Sequence, residues 1–359
     1  MTISQTFVIT GGHHNSALVV ARELLKSGHR VEWIGHRFAA KGDRHDSAEY
    51  VEVTAAQIPF HNLVAGKTEF SLQNLLNVPL GLIRASQILK RINPDAVISF
   101  GGYLGLAVSL AAYLRRIPLF LHEQTVVAGK ANQLVALLAK RVYLTWASSL
   151  RYYPKVKSIV VGLPLRPSFL EHNQKKVFRG SKPVLLILGG KQGSHVINQL
   201  IFANLQNLLL KYNLIHQTGT SSATGDYDQA VALKASLSPA LAKSYEPRGY
   251  IGEDEIAEYM RSADLFLGRS GAHATYELGV LGKSAVLIPL LLTHGREQLH
   301  NARLLVSAGI ATILPQSELS YPRLKHAISL ALRRAKPKSL DLPTDAAVKL
   351  MRDIFQHLP

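Results

Sequence analysis

The sequence predicts an α/β protein in which parallel sheets form two successive domains. Short runs of aliphatic and β-branched residues alternate with helical stretches over almost the whole chain, as in proteins built from βαβ units. At 359 residues the chain is long enough for two cores of ordinary size. The alternation pauses once, near Gly162, before a second series of strands begins. These observations place the domain boundary close to that glycine.

The individual strands are predicted from the same runs. They are Thr6–Thr10, Val31–Gly35, Ala96–Phe100, Leu119–His122, Val142–Thr145 and Ile159–Val161 in the first half, and Val184–Leu188, Leu214–His216, Leu265–Leu267 and Ala285–Ile288 in the second. The first helix is expected to have Asn15 or Ser16 as its N-cap and to stop at Gly28.

The end of the chain, from Asp345 to His357, is predicted to form a helix. We expect this helix to cross back to the first domain. Residues 1–161 with 341–359 would then form one domain, and residues 162–340 the other.

Composition limits the classes of protein that fit. Hydrophobic residues are 47% and charged residues 18% of the chain, which is typical of a globular protein. Cysteine is absent, so disulfides, thiolate chemistry and cysteine zinc sites are excluded. No signal-peptide pattern opens the chain, and the most hydrophobic window, Gly102 to Leu121, is interrupted by Arg115 and Arg116, so we expect a soluble or peripheral protein.

The formal net charge of +17 indicates an anionic partner. The excess is spread over both halves of the chain. Composition leaves nucleic acid, anionic lipid and phosphorylated substrates open as that partner.

Four predicted strands end in turns of glycine and small polar residues. The turns are Gly11–His13, Gly101–Tyr103, Gly189–Ser194 and Arg269–Ala272. Ligands of open parallel sheets bind at the carboxyl ends of strands, where helix N-termini attract anions and glycine lets a phosphate approach the main chain. Two such turns in each half indicate a ligand held between two domains.

Two common phosphate-binding patterns do not match. A dinucleotide fingerprint needs a third glycine and an acid after the second strand, but the first turn continues as His14-Asn15-Ser16 and the second strand ends in His36-Arg37. No Gly-Lys-Ser/Thr follows any of the turns at the required spacing, so a Walker loop is also missing. A dehydrogenase is therefore disfavoured.

The second half fits a nucleotide sugar better. Gly189–Ser194 can hold one phosphate, and Ser270-Gly271 opens a helix whose positive end can hold another. Glu277 lies two helical turns after Ser270 and so shares its face, where a carboxylate can accept both ribose hydroxyls. The alternative is that Glu277 only occupies a solvated helix face.

At this point the motifs resemble one family, the MurG glycosyltransferases. The matching segments follow one another in order over nearly the whole chain: Thr10–His13, Ser99–Tyr103, His122–Gln124, Gly162–Arg166, Gly189–Ser194 with Asn198, His216–Gly219, Arg269–Ala272 with Glu277, and Arg296–Gln298 with Asn301. The resemblance implies a GT-B fold, with two Rossmann-like domains whose parallel sheets face each other across a cleft. It also implies an inverting transfer of N-acetylglucosamine from UDP-GlcNAc to undecaprenyl-diphosphate-MurNAc-pentapeptide, in peptidoglycan synthesis.

The resemblance assigns roles to residues by position. His13 matches the proposed general base on the acceptor hydroxyl, although His14 stands beside it; an imidazole that titrates near neutrality suits the task. The implied donor-binding residues are Arg166, Gly193, Ser194, Tyr250, Ile251, Ile256, Arg269, Ser270, Gly271, Ala272, His273, Ala274, Glu277, Glu297 and Gln298. The implied acceptor-binding residues are Gly11, Gly12, His14, Asn15, Gly101, Gly102, Tyr103, His122, Glu123, Gln124 and Thr125. No cofactor and no essential metal are expected, and no Asp-x-Asp motif is found.

The sequence departs from the family pattern at several positions. The Gly-Gly-Thr that normally precedes the first Gly-Gly-His is missing. The other differences are Thr125 for Asn, Leu163 for the hinge Asn, Lys191 for a small polar residue, His273-Ala274 for an apolar-Thr pair, and Glu297 for a sugar-reading glutamine. A carboxylate at 297 can accept hydrogen bonds from sugar hydroxyls but has no amide to donate.

An apolar stretch with basic neighbours indicates contact with a membrane. It comprises Leu72, Leu75, Leu76, Val78, Leu80 and Ile83, with Lys67, Arg84, Lys90 and Arg91 around it. Arg115 and Arg116 are expected to extend the same surface. The alternative is a buried helix face. The resemblance favours a peripheral enzyme on the cytoplasmic face of the bacterial cell membrane, bound to an anionic surface.

Two other functions stay open. One is a related GT-B transferase that acts on another polyprenol- or diacylglycerol-linked acceptor. The other is nucleic-acid binding by a basic α/β protein, which no recognised motif or clustered arginine stripe supports. We expect no nucleic-acid partner.

Overall fold

The computed structural model describes residues 4–38, 46–63, 72–171, 177–178, 180–190, 192–291 and 296–358; the side chains of residues 72–78 and 254 lie outside this description. The chain divides into two compact units, Met1–Arg166 with Pro343–Pro359 and Pro167–Leu342. Each unit carries its own parallel sheet.

The first unit is built on a seven-stranded sheet of order β3-β2-β1-β4-β5-β6-β7. Its strands are β1 Thr6–Thr10, β2 Arg30–Gly35, β3 Phe60–Asn62, β4 Ala96–Ser99, β5 Leu119–Glu123, β6 Arg141–Leu144 and β7 Ser158–Val160. Its helices are α1 His14–Lys26, α2 Ala48–Ala55, α3 Leu72–Ile92, α4 Gly102–Leu114, α5 Lys130–Leu138 and, at the end of the chain, α14 Ala346–His357.

Both faces of this sheet are covered by helices, as expected of parallel strands. Along β1, Phe7 and Ile9 belong to the core that contains residues of α1 and α14. Val8 points to the opposite face and joins the core that contains residues of α3, α4 and α5. The alternation of side chains along one strand therefore supplies both hydrophobic layers.

The second unit is built on a six-stranded sheet of order β10-β9-β8-β11-β12-β13. Its strands are β8 Val184–Leu188, β9 Asn213–Gln217, β10 Tyr245–Arg248, β11 Leu265–Gly268, β12 Ala285–Leu287 and β13 Ala311–Ile313. Its helices are α6 His195–Ala203, α7 Leu205–Leu209, α8 Asp226–Ser236, α9 Pro239–Ala242, α10 Glu253–Ser262, α11 Ala272–Leu281, α12 Glu297–Ser307 and α13 Tyr321–Arg333. The prediction of two parallel α/β, Rossmann-like units is confirmed.

The last helix of the chain completes the first unit. Leu350 and Ile354 of α14 are fully buried in the same core as Leu18 of α1. A bidentate ion pair also fixes the helix, because the Nε and Nη2 atoms of Arg141 lie 3.0 and 3.1 Å from the two carboxylate oxygens of Asp353. The chain thus begins and ends in the same unit, as the sequence predicted.

The boundary between the units lies at Arg166, five residues after the predicted position. Leu163 and Leu165 are buried, and Gly162 N donates to the Leu144 carbonyl oxygen, so this segment stays attached to the first unit. The second crossing falls after Leu342, two residues beyond the prediction. Leu340 N donates to the Gly279 carbonyl oxygen, which keeps that stretch on the second unit.

Three strands are missing from the sequence prediction, namely β3, β10 and β13, and all of them are edge strands. An edge strand is bonded on one side only, so it tolerates polar residues and even proline. The sequence of β10, Tyr-Glu-Pro-Arg, shows this, since Pro247 lies within the strand. Short edge strands of this kind lack the continuous apolar run by which the central strands were found.

Among the described residues, no helix combines the length and the apolar character needed to cross a bilayer.

Candidate active site

The four glycine turns follow β1, β4, β8 and β11. Strand β1 pairs with β4, and β8 pairs with β11, so the turns form two adjacent pairs at the carboxyl ends of the sheets. In each sheet the strand order reverses at this place, which is where ligands bind in open parallel sheets. Each unit therefore has one candidate site of its own.

In the first unit the two turns are bonded to each other. Gly12 N donates to the Gly101 carbonyl oxygen at 3.0 Å. Gly11 has a φ of +130°, and a Cβ atom there would lie 2.6 Å from the main-chain carbon of Phe100. Glycine is thus required at position 11 both for the backbone angle and for the close approach of the second turn.

His13 is the N-cap residue of α1, which begins at His14. The predicted cap at Asn15 or Ser16 is therefore wrong by two to three residues. The helix has no side-chain cap at His13, because the glycine turn runs directly into the first helical residue. The imidazole of His13 is consequently held at a helix N-terminus, beside both glycine turns.

The two adjacent histidines point to different partners. The Nε2 atom of His14 lies 3.0 Å from a carboxylate oxygen of Glu52 on α2. The Nδ1 atom of His13 lies 2.7 Å from the side-chain amide of Gln124, which follows β5 at the same edge of the sheet. No hydrogen bond to Nε2 of His13 is found among the described residues. Geometry therefore favours His13 over His14 as the group that can receive a proton.

Burial lowers the pKa of His13, while Glu123 opposes this shift and His14 adds to it. A ring with a lowered pKa is neutral at physiological pH. A neutral imidazole with an unbonded nitrogen is the form that a general base needs.

Glu123 is buried beneath the site and is saturated with hydrogen bonds. Its Oε1 accepts from the main-chain N of Thr125 at 2.9 Å, and its Oε2 accepts from Asn132 Nδ2 at 2.9 Å and from the Tyr153 hydroxyl. The Oδ1 atom of Asn132 in turn accepts from Gly102 N at 3.2 Å. This carboxylate therefore ties the loop after β5 to the second glycine turn.

His122 has a similar internal role. Burial lowers its pKa to about 4, so the ring is neutral. Its Nε2 atom lies 3.1 Å from the Gly162 carbonyl oxygen. The ring therefore joins the end of β5 to the segment that leads to Arg166.

The remaining residues predicted to bind the acceptor differ in exposure. Tyr103 is 53% exposed at the start of α4, Thr125 is 7% exposed, and Asn15 is half-buried. Tyr103 is thus the one of the three that offers a large free surface.

In the second unit the turn predicted to bind a phosphate, Gly189–Ser194, interlocks with the turn after β9. A Cβ atom on Gly193 would collide with the Thr218 carbonyl oxygen, and one on Gly219 would collide with that of Gln192. Gly193 also has a φ of +77° and Gly219 one of +89°. The main chains of the two turns are in contact at the positions that Cβ atoms would occupy. This contact fixes the turn that precedes α6.

Arg269 locks this turn to two other loops. Its Nη2 atom lies 2.8 Å from Ser194 Oγ and 2.7 Å from Gln316 Oε1, and its Nη1 lies 2.9 Å from the Ile288 carbonyl oxygen. All three bonds lie within the second unit. The Arg269 guanidinium therefore holds the turn in its conformation through its own hydrogen bonds.

The loop after β11 leads into α11, whose N-cap is Gly271. Ser270 is fully buried, and its hydroxyl donates to the Gln298 carbonyl oxygen at 2.7 Å. The first amides of α11, at Ala272, His273 and Ala274, have no acceptor within the helix and point toward its N-terminus. This end is a suitable place for a phosphate.

Glu277 is 2% exposed, so the alternative that it lies on a solvated helix face is wrong. Its Oε1 atom lies 3.9 Å from Nδ1 of His273, one turn earlier on α11. Glu277 is thus a buried carboxylate in the second turn of α11.

The segment predicted to contact uracil is joined to the phosphate-binding turn by Gln217. The Nε2 atom of Gln217 donates to the Gly190 carbonyl oxygen at 2.8 Å, and its Oε1 accepts from Ile251 N at 2.9 Å. Ile251 and Ile256 are buried, whereas Tyr250 is 39% exposed. Gln217 belongs to one of the matching motifs, but no local pattern in the sequence indicates this bridge.

Glu297 and Gln298 open α12, directly after residues 292–295, which lie outside the description. Gln298 Oε1 accepts from Leu290 N at 3.0 Å. Asn301 Nδ2 donates to the Ser270 carbonyl oxygen at 3.0 Å. The start of α12 and the start of α11 therefore form one bonded group.

Arg166 is 8% exposed and ends the first unit. Lys191, which departs from the family pattern, lies outside the described residues.

Comparison with known proteins adds an independent finding. Residues 8–144 match the glycosyltransferase family 28 N-terminal domain, and residues 184–357 match the family 28 C-terminal domain. A protein of Clostridium botulinum strain Langeland, named UDP-N-acetylglucosamine–N-acetylmuramyl-(pentapeptide) pyrophosphoryl-undecaprenol N-acetylglucosamine transferase, is 32% identical over 86% of this chain and 85% of its own length. A protein of the same name from Clostridium tetani is 29% identical over 87% and 84%. The chain belongs to the MurG family.

Solved structures agree with this family. The crystal structure of Acinetobacter baumannii MurG matches with a TM-score of 0.69 and 25% identity, covering 98% of this chain and 95% of that one. A UDP-GlcNAc 2-epimerase from Neisseria meningitidis matches with a TM-score of 0.67 at 15% identity, over 98% and 100%. The second match shows only that the fold is shared.

Two departures from the MurG pattern have visible consequences. Leu163, at the hinge position, is fully buried in the first unit, so the side chain there contributes apolar packing. His273, in place of an apolar residue, stands beside Glu277. Neither change disrupts the bonded turns around it.

The sequence analysis did not predict the buried residues whose hydrogen bonds support these turns. Asn132 and Tyr153 bond Glu123 from distant points of the chain, and no local motif marks them. Asn198 belongs to one of the matching motifs, and its Nδ2 atom donates to the Thr218 carbonyl oxygen and to the Asp226 carboxylate.

Proposed function

We propose that this chain transfers N-acetylglucosamine from UDP-GlcNAc to the MurNAc residue of undecaprenyl-diphosphate-MurNAc-pentapeptide and forms a β-1,4 linkage. The relatives at 32% identity bear the name of this activity. The observation that carries the proposal is the geometry of His13 at the N-terminus of α1: its Nδ1 atom contacts Gln124, and the described residues place no hydrogen bond on its Nε2 atom.

The reaction balances with this group as the base. The acceptor hydroxyl gives its proton to Nε2 of His13, and its oxygen forms a bond to the anomeric carbon of the donor sugar. The bond from that carbon to the β-phosphate oxygen breaks, and UDP leaves with the electron pair. Attack opposite to the leaving group inverts the configuration.

The second unit supplies the groups that would hold UDP. The amides of Gly193 and Ser194 and the N-terminus of α11 offer hydrogen bonds and positive potential to the phosphates. The family resemblance assigns Arg166, the last residue before the second unit, to the diphosphate. Buried Glu277 would accept the ribose hydroxyls, and Tyr250 and Ile251 would border the uracil.

We propose that these groups stabilise the leaving diphosphate without a metal ion. Oriented main-chain amides and a guanidinium offset developing charge in a site that excludes water. Transfer that persists in excess EDTA supports this proposal, and activity that depends on added Mg²⁺ or Mn²⁺ contradicts it.

The acceptor is a lipid, and the first unit has a surface suited to one. Helices α3, α4 and α5 pack side by side on one face of the sheet. Their large exposed apolar residues are Leu80, Ile83, Tyr103, Tyr113, Leu114, Leu134 and Leu137. We call this set the apolar surface. Lys67 and the side chains of residues 72–78, which the sequence assigned to it, lie outside the description.

Basic residues accompany the apolar surface. A groove of about 670 Å³ at the end of α4 is lined by Tyr113, Leu114, Arg116, Ile117, Leu138 and Lys140, among others. Apolar side chains and cations together favour binding to anionic lipid. We propose peripheral binding to the cytoplasmic face of the bacterial cell membrane, where UDP-GlcNAc is available.

The decisive experiment offers purified protein UDP-GlcNAc with a short-chain analogue of the lipid-linked muramyl pentapeptide. UDP release that matches the formation of a disaccharide product is the expected result. Because Glu297 replaces a sugar-reading glutamine, UDP-glucose and UDP-galactose belong in the same assay, together with a diacylglycerol acceptor. Preference for another donor or for the glycerolipid would replace this proposal by that of a related transferase.

A further inference from the structure

Gln124 is among the residues that the resemblance assigns to the acceptor, and its side chain contacts His13. It is 5% exposed, and its Nε2 atom is placed 2.7 Å from Nδ1 of His13, although the two terminal atoms of an amide are interchangeable in shape. Its other terminal atom lies 3.4 Å from the hydroxyl of Ser16, which is fully buried on α1. The amide therefore spans from the imidazole to the buried hydroxyl on α1.

The chemistry of the imidazole decides which way this amide must face. If the amide N–H donates to Nδ1, the neutral ring carries its hydrogen on Nε2 and cannot take a proton there. If the amide carbonyl accepts from Nδ1–H, Nε2 keeps its lone pair. The two orientations fill the same space, and in the second one the amide N–H reaches the Ser16 oxygen as acceptor.

Only the second orientation stays bonded throughout the reaction. When Nε2 takes the proton, both ring nitrogens become donors, and the carbonyl of Gln124 still accepts from Nδ1. The first orientation would place an N–H against another N–H at that moment. The carbonyl dipole also favours the imidazolium that forms.

We propose that Gln124 is the positioning residue of His13, with its side-chain carbonyl accepting from Nδ1–H so that Nε2 faces the acceptor hydroxyl as the base. This inference rests on the proposed function, since it assigns a role within the same reaction. The titratable neighbours of the ring are Glu123, His14 and His122. Glu123 is saturated and His14 is bonded to Glu52, which leaves Gln124 as the direct partner of Nδ1.

The position of Gln124 is itself fixed by the buried network described above. It is flanked by Thr125 and by Glu123, whose carboxylate accepts four hydrogen bonds, two from Thr125 and one each from Asn132 and Tyr153. The backbone on both sides is thereby held, and the side chain has one direction in which to extend. A neutral amide here orients the ring without adding the charge that a carboxylate would bring.

Two substitutions of similar size separate positioning from acceptor binding. Gln124→Met removes the acceptor atom, and we expect kcat to fall by about 10- to 100-fold because the ring loses its tautomer preference. KM for both substrates and the affinity for UDP should not change. A rise in acceptor KM with unchanged kcat would instead show that Gln124 binds the acceptor.

Gln124→Glu keeps the acceptor atom and adds a negative charge. We expect most of kcat to survive at high pH, with the acidic limb of kcat/KM moved to higher pH by about one unit, since a carboxylate favours the protonated ring. Gln206→Glu, on the exposed side of α7, is the matched control for the charge and should leave the profile in place. An unmoved limb in Gln124→Glu overturns the proposal.

A readout without turnover keeps the inference separate from the proposed function. Nitrogen NMR of histidine-labelled protein, with the His13 signal assigned from the His13→Ala variant, should show the hydrogen on Nδ1 in the wild type. Gln124→Met should shift the population to Nε2–H. If the wild type fails to transfer the proposed sugar but shows Nδ1–H, the function is wrong and the positioning stands. A wild-type ring protonated at Nε2 overturns the positioning itself.

Discussion

The Nη2 atom of Arg269, after β11, lies 2.8 Å from the hydroxyl oxygen of Ser194, after β8. Burial lowers the pKa of this guanidinium, but an arginine remains charged at any physiological pH. The contact holds the turn that we propose to bind a phosphate in place from the side of the neighbouring strand.

Arg269→Lys is expected to weaken UDP-GlcNAc binding by roughly tenfold. Lysine keeps the charge but cannot bond Ser194, Gln316 and Ile288 together, and a charge-assisted hydrogen bond contributes about 1.5–3 kcal/mol. Calorimetric titration measures the change. Arg323→Lys, at an arginine whose side chain is 64% exposed on α13, is the control and should bind as the wild type does. Equal affinity in both variants would show that the turn does not depend on the guanidinium.

Replacement of the two adjacent histidines should give opposite results. His13→Ala is expected to lower kcat by about 10²- to 10⁴-fold with UDP affinity retained, because the base is lost while the donor residues are intact. His14→Ala loses a bond to Glu52 and should keep most of its turnover. Steady-state kinetics and UDP titration test both variants. Unchanged turnover in His13→Ala contradicts the assignment of the base.

The pH profile should reflect the burial of His13. Burial lowers its pKa from the ordinary value near 6.5, and the base works only when the ring is neutral. Transfer should therefore persist as pH falls through 6.5 and decline only when the lowered pKa is reached. The measurement is kcat/KM against pH at constant ionic strength. An acidic limb at or above 6.5 would show that another group, or an exposed ring, is the base.

Glu277→Gln should weaken binding of UDP by about 10- to 100-fold, since two hydrogen bonds from ribose to a carboxylate are replaced by bonds to a neutral amide. The affinity for 2′-deoxy-UDP should fall much less, because one of those bonds is already missing. Titration of UDP and of 2′-deoxy-UDP into the wild type and into Glu277→Gln gives the coupling free energy between Glu277 and the 2′-hydroxyl. Glu318→Gln, on an exposed 3₁₀ turn, serves as the charge control. Equal losses for the two ligands would separate Glu277 from the ribose.

Membrane binding should depend on the apolar surface. Ile83→Glu with Leu114→Glu places charge on α3 and α4, and we expect affinity for phosphatidylglycerol vesicles to fall at least tenfold while UDP binding is unchanged. Val231→Glu, at a valine that is 45% exposed on α8 of the second unit, is the matched control. Vesicle sedimentation gives the result. Retained binding in the double variant would assign membrane contact to another surface.

The sequence predicted the central strands because each is a short apolar run, and it predicted the glycine turns because they follow those runs. Edge strands such as β10 were not predicted, because a strand that is hydrogen-bonded on one side only can contain proline and charged residues, as Pro247 and its neighbours show. Residues that form hydrogen bonds to turns remote in the sequence were not predicted either, for a different reason. Asn132 and Gln217 act on turns far away in the chain, and nothing local in the sequence indicates which carbonyl or amide they will meet.

The N-cap of α1 shows how a rule of local sequence can mislead. Asn15 and Ser16 are good capping residues, yet the helix begins before them at His14. The turn of Gly11 and Gly12 is bonded to the second glycine turn, and this contact brings the chain into the helix earlier. Tertiary bonding of a loop overrode the local preference.

The return of α14 to the first unit makes the second unit an inserted segment in the path of the chain. A fragment that stops at Arg166 would lack Leu350 and Ile354 and would leave the hydrophobic side of α1 open to water. Such a fragment should be insoluble unless α14 is supplied by a short linker. The segment Pro167–Leu342 contains a full sheet with helices of its own, so we expect it to fold as a separate protein.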